Sequence, residues 1–351
     1  MYIRDSICIS PQNTFPSAFN DAKLRVHTGT KYFALEPSYE GLIGAGVLRR
    51  MGRAARMGVA AGTLLLKNNS KTDGIIIGTA NGGLEDCIKF LAQIVDYDEG
   101  TLTPTNFVQS TPNSVAGQLA LADQNTGYNV THVHAGLSFE NALADAALLF
   151  DQEEAETLLV GGLEEISDYN HQIDRRSGFF KTEATTSLTL IGSGTPGTVC
   201  GEGAVMFLLE KTPSLSQQVR ILAVDQLSFV MESDVLAHFP RFLLNAGLNI
   251  DRIDGLMLGY NGDAASDGLY SEVASLFHPE TPVFSFKNAC GEYPTASAFA
   301  VWLGQQLLLG KNIPQGLVRC GNTEKRPRTL LIYNHFMQNQ HAFILLQQID
   351  R

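Results

Sequence analysis

The chain contains no uninterrupted apolar run approaching ~18 residues, so no membrane-spanning helix is expected. Its opening stretch, "MYIRDSICISPQNTF", carries charge early and lacks an apolar segment, and does not read as a signal peptide. Basic residues are outnumbered, 25 Lys and Arg against 36 Asp and Glu, for a formal net charge of -11. That balance lacks the basic field of a nucleic-acid binder. Cysteine is scarce and scattered: Cys8, Cys87, Cys200, Cys290 and Cys320 are odd in number and form no CxxC pair. A disulfide framework and a zinc site are therefore not expected, and a reducing, cytoplasmic setting is. Low-complexity segments and short-period repeats are missing as well.

What is present is a globular composition, 44% hydrophobic and 17% charged over 351 residues. That length suffices for two domains or one duplicated α/β unit. "GIIIGTA" (74–80), "TLLVGG" (157–162), "AVMFLLE" (204–210), "GLMLGY" (255–260) and "TLLIYN" (329–334) read as strands covered on both faces. Residues 49–68, 139–151 and 295–310 read as Ala- and Leu-rich helices, the last ending at Gly310. The order of elements implies two similar halves, residues 1–212 and 213–351, with helices on both sides of the sheets.

Several stretches carry chemistry by their pattern. In "NVTHVHAGLSFENALADAALLF" (129–150) a β-branched run meets a small-residue turn and an Ala-rich helix, the setting in which many enzymes hold a nucleophile. The other distinctive stretches are "GTANGGLED" (78–86), "PTNFVQSTPNSVAGQLAL" (104–121), "VGGLEE" (160–165), "CGEGAVMFLLE" (200–210) and "FSFKNACGEYPTASAFA" (284–300). Taken in order over nearly the whole chain, this set resembles the β-ketoacyl synthases, condensing enzymes of the thiolase fold. The resemblance implies a five-layer α-β-α-β-α architecture built from two related halves.

Such enzymes use a Cys at a helix N-terminus to hold the acyl group as a thioester, its thiolate favoured by the helix dipole. Two His residues assist decarboxylation of malonyl carrier protein and stabilise the enolate. Carried over residue by residue, the Cys position falls at Gly136. The first His falls at Gly259 or Tyr260, and the second at Glu292. Lys287 is retained where the family has its loop Lys. The late Gly-rich loop reads "NHFMQNQH" (334–341), without Gly. The pattern resembles the chain-length factors, non-catalytic partners of active ketosynthases in polyketide and aryl-polyene-type pathways. Many of those carry Gln at the Cys position, and Gly136 departs from that.

The resemblance implies a heterodimer with an active ketosynthase or a homodimer, recognition of an acyl carrier protein, and no cofactor. Residues 104–121, with Val115, would face the partner, and Phe107, Ser110, His134, Ser138, Cys290 and His335 would line the pocket. Two other readings stay open. One is a divergent acyltransferase or ketosynthase using Cys290 or a His; the other is a scaffold that binds an acyl chain or carrier protein. Cys290 and Cys200 otherwise read as buried thiols. His132 and His134 alternate on a strand and could meet Glu140 or His335, but no third ligand stands at a metal-site spacing. Glu292 and Lys287 form either a buried ion pair or a solvated loop. Arg49, Arg53 and Arg56 with Arg50, and separately Arg175, Arg176 and Lys181, are candidate carrier-protein docking patches or plain solvated faces.

Overall fold

A computed structural model describes residues 1–16, 19, 23–69 and 71–350. Its core is an eleven-stranded sheet system in which each half repeats one strand pattern. In the first half the strands are β1 (Tyr2–Ile9), β2 (Gly74–Gly78), β3 (Tyr128–His132), β4 (Thr157–Glu164) and β5 (Gly203–Glu210). In the second they are β6 (Gln217–Ser228), β7 (Gly255–Leu258), β8 (Val283–Ser285), the short edge strand β9 (Val318–Cys320), β10 (Thr329–Phe336) and β11 (Gln340–Asp350). The spatial order is β3-β2-β4-β5-β1 in one half and β8-β7-β10-β11-β6 in the other. In both, the first three pair in parallel and the last three run antiparallel. The halves meet where Tyr2 and Ile3 of β1 pair with Arg220 and Val219 of β6.

Residue alternation decides which face each strand gives to which layer. Ile76 of β2 and Val205, Phe207 and Leu209 of β5 point to a central layer. Ile75, Ile77, Ala204 and Met206 point outward. Likewise Leu330 and Ile332 of β10 face the centre while Leu331 and Tyr333 face out. Because both faces are covered, the strands need no polar side, which explains their near-continuous apolar runs.

The helices are α1 (Arg53–Asn68), α2 (Leu84–Asp96), α3 (Pro104–Gln109), α4 (Ser114–Asp123), α5 (Ser138–Asp151), α6 (Asp168–Arg176), α7 (Glu232–Asn245), α8 (Asp267–Ser275) and α9 (Ala296–Leu308). The outer layers are α1 with α4 on the first sheet and α7 with α8 on the second. Between the sheets lie α5 and α9. Every residue of α9 is buried, as an apolar-all-round helix between two sheets requires. It stops short of Gly310, whose φ of +82° is open to glycine. The five layers are those of the thiolase-like fold, and each half leads its third strand into a central helix. No described helix is long and apolar enough to cross a membrane.

Candidate functional site

Each central helix begins at a turn fed by the third strand of its half. After β3, His134 precedes a short 3₁₀ turn, Ala135–Leu137, that opens α5. Ala135 takes a φ of +46°, the left-handed region that costs an L-residue about 1–2 kcal/mol. The left-handed residue of this turn is therefore Ala135, directly before Gly136, where the resemblance places the family's Cys position. Gly136 has no positive φ; it is glycine because a Cβ there would overlap the Phe336 Cβ. Ser138 braces the turn: its hydroxyl accepts from the His134 N–H (2.8 Å) and donates to the Ala135 carbonyl (2.9 Å).

The second turn lies after β8 and is wholly buried. Lys287 Nζ donates to Glu292 Oε2 at 2.7 Å, with the two side chains 0% and 1% exposed. Asn261 Nδ2 donates to the same oxygen (2.9 Å), and Lys287 also donates to the His335 carbonyl (3.1 Å). Of the two alternatives open for Lys287 and Glu292, the structure has the buried ion pair. Burial pushes the Glu292 carboxyl up while Lys287 pulls it down, and burial prevails. The other oxygen, Glu292 Oε1, has no hydrogen-bond partner.

Gly259 follows β7 directly. A Cβ there would overlap Asn334 Oδ1 and stand 2.6 Å from the Tyr270 hydroxyl, so no imidazole fits. Tyr260 instead rests on Tyr270, ring centroids 5.2 Å apart, with its hydroxyl 3.3 Å from Ser271. His335 stacks on Tyr270 at 4.6 Å and 9°. Burial holds its ring well below the usual histidine range, so it is neutral. Among the described residues neither His335 ring nitrogen has a hydrogen-bond partner, and neither has either carboxyl oxygen of the buried Glu140. Burial raises the Glu140 carboxyl to about 7.

A cleft of about 60 Å³ opens beside Glu292, lined among others by Glu164, His171, Phe180, Cys200 and Phe336. Cys290 is fully buried, its thiol donating to the Gly291 carbonyl (3.3 Å). Burial pushes that thiol far above its usual range, which suppresses the nucleophilic thiolate. The Cys200 thiol is raised by burial in the same direction.

The remaining candidate residues lie outside this cleft. Phe107 and Ser110 lie on exposed α3 and its end: Phe107 packs on Phe90, and the Ser110 hydroxyl donates to the Phe107 carbonyl. Val115 does not face outward but is 2% exposed, against Gly58 of α1. His132 and His134 do not share a strand face, because β3 ends at His132. His132 pairs with Asp145 (2.8 Å), and His134 Nδ1 contacts Asn141 Nδ2 (2.9 Å). Among the described residues no group of three or more His, Cys, Asp or Glu is placed to hold a metal.

Of the basic candidates, Arg53 and Arg56 are paired with acids, whereas Arg49, Arg50, Arg175 and Arg176 are exposed and in no salt bridge among the described residues. Arg53 pairs with Glu36 (3.0 Å) and Glu202 (2.7 Å), and Arg56 with Glu36 (3.1 Å). Arg49 precedes α1 and shares no helix face with them. Lys181 is buried, donating to Thr195 Oγ1 (2.8 Å) and to the Gly262 carbonyl (3.0 Å). The residues that sequence reasoning missed are Ala135, Asn261, Phe336 and Gln340. Ala135 lay in the small-residue turn already singled out, and Phe336 and Gln340 in the stretch noted for lacking glycine.

The model of the "β-ketoacyl synthase, N-terminal domain" family matches residues 40–230, more than half of the chain. The chain belongs to the β-ketoacyl synthase family. No curated protein matches it in sequence. Solved structures match over nearly its full length. A β-ketoacyl synthase from Burkholderia phymatum STM815 has a TM-score of 0.77 at 15% identity, covering 99% of each chain. The ketosynthase ApeO in complex with its chain length factor ApeC, from Xenorhabdus doucetiae, scores 0.72 at 16% identity, over 99% of this chain and 97% of that one. The ishigamide ketosynthase/chain length factor scores 0.70 at 20% identity, over 90% and 86%. At these identities the likeness is one of fold.

Proposed function

We propose that this chain is a chain-length-factor-like partner of an active ketosynthase in acyl-chain biosynthesis, with no condensing activity of its own. The observation that carries the reading is the turn before α5: its strained tip is Ala135, which has a methyl group and no sulfur. The other two catalytic roles are unfilled around it. Gly259 has no space for an imidazole, and Glu292 is an acid locked to Lys287. A carboxylate at that place would repel an enolate rather than stabilise it.

A partner fits the surface as well. Around β3 the chain exposes Tyr128, Val133, Phe107, Val108 and Leu121, an apolar set beside an unpaired strand edge. Exposed edges and apolar patches of this kind mark association surfaces. The ApeO–ApeC complex pairs a ketosynthase with a chain length factor, and this fold likeness supports the same kind of assembly here. An acyl carrier protein would serve the assembled pair.

The isolated chain, incubated with acyl-loaded and malonyl-loaded carrier proteins, should give no condensation product and no covalent acyl adduct by intact mass. A stoichiometric adduct on Cys290 would overturn this reading in favour of a divergent acyltransferase.

A further inference from the structure

One backbone donor of the turn before α5 has a partner from far along the chain. The Gly136 N–H donates to Gln340 Oε1 at 2.8 Å. Gln340 Nε2 reaches the His134 carbonyl at 3.4 Å, so one carboxamide bridges both sides of Ala135. Gln340 is 7% exposed and stands opposite Phe336 across the β10–β11 hairpin. Phe336 is the residue that fills the space beside Gly136. A single hairpin thus delivers a ring against the turn and an amide oxygen onto its N–H.

The chemistry of that oxygen matters. The N–H following the tip of a strand-to-helix turn is the donor that acyl-transfer sites aim at a carbonyl oxygen. A carboxamide oxygen is a neutral sp² acceptor of the same kind as a thioester carbonyl. We propose that Gln340 is a built-in occupant of the carbonyl-binding position of this turn, and that it bars an acyl thioester from the Gly136 N–H. The proposal rests on the reading of Ala135 as the emptied nucleophile position. It adds that the turn is closed to acyl groups twice, once by the missing sulfur and once by Gln340.

The test uses Gln340→Met, which keeps length and approximate volume but removes the oxygen acceptor. In that variant, hydrogen exchange at the Gly136 amide should quicken at least ~10-fold, because its protecting acceptor is gone. Ala135→Cys and the double variant Ala135→Cys/Gln340→Met are then compared with two reagents. Iodoacetamide needs only an accessible thiol, and both variants should react at similar rates. S-acetyl-N-acetylcysteamine needs its carbonyl received. The introduced thiolate attacks the acetyl carbon, a new C–S bond forms, and N-acetylcysteamine leaves as a thiolate that takes up a proton from water. This acetylation should be at least ~10-fold faster in the double variant. Equal acetylation rates, or unchanged Gly136 exchange in Gln340→Met, overturn the proposal. An Ala135→Cys thiol that resists iodoacetamide sinks the placement of the nucleophile position, while the exchange measurement still decides the role of Gln340.

Discussion

In the second half the third strand, β8, is fully buried, and β9 pairs along its outer edge. In the first half the equivalent strand, β3, ends the sheet, with Tyr128 and Val133 exposed beside it. The helices that follow differ in the same sense. α9 is buried at every position, whereas α5 leaves Leu148 52% exposed. The turns differ too: Lys287 and Glu292 seal the second in a buried pair, while Ala135 of the first is exposed. The two halves share one topology but differ, one closing on itself and one keeping a bare edge and an exposed Ala135. Unprotected edges are a hazard for a lone protein, so the first half reads as the surface a second chain completes.

The largest effect should come from breaking the sealed turn. Lys287→Met leaves Glu292 buried without its charge partner and should cost about 3–5 kcal/mol in denaturant unfolding. Lys287→Met/Glu292→Gln should recover most of that loss. A single-variant cost below ~1 kcal/mol would show that the pair does not seal this half.

Next comes Glu140, at the start of α5. Its carboxyl titrates near 4.5 in the unfolded chain and at about 7 when folded, because burial disfavours its charge. The folded state therefore holds a proton that the unfolded state has released. The stability linked to it is full below about pH 4.5 and is lost as pH rises toward about 7. Glu140→Gln should remove that slope and add up to about 3 kcal/mol at pH 8, read from urea midpoints at pH 5 and pH 8. A slope at least as large remains, because burial also raises the Glu164 carboxyl, to about 8, so the readout is the change in the pH 5 to pH 8 difference. An unchanged difference between the two pH values would show that Glu140 is not ionised on unfolding as described.

A smaller effect is expected at the open turn. Ala135→Gly relieves a φ of +46° and should stabilise the chain by about 1 kcal/mol. Destabilisation would mean that the left-handed tip lies elsewhere. Smallest for the isolated chain is Val133→Asp, which should shift its stability by no more than ~0.5 kcal/mol. On the bare edge, however, it should abolish assembly in size-exclusion chromatography. Retained assembly would place the partner surface elsewhere.

The five strands read from the chain were legible because they are buried on both faces, whereas the part-exposed β1, β3 and β6 carry no such continuous apolar run. Lys287 and Glu292 stand five residues apart in one loop, which let their pairing be posed as an alternative. The position of the turn's tip was harder to read. The resemblance of the helix that follows, not the backbone angle, put the nucleophile position at Gly136. Here its lack of a side chain answers to Phe336, two hundred positions downstream. The Gln340 contact spans 204 residues and leaves no local pattern. The pairing of Arg53 was illegible for the same reason, since Glu36 and Glu202 approach it only in the folded chain. Val115 reads equally well as interface or core until α1 is seen against it.

The central claim, that this half-open chain is completed by a subunit that does the chemistry, is tested most directly on the assembled pair. The chain is co-purified with its ketosynthase, incubated with acyl-loaded carrier protein, and both subunits are weighed intact. The account predicts one acyl group on the partner's cysteine and an unmodified mass for this chain. An acyl group on this chain, above all at Cys290, would contradict it.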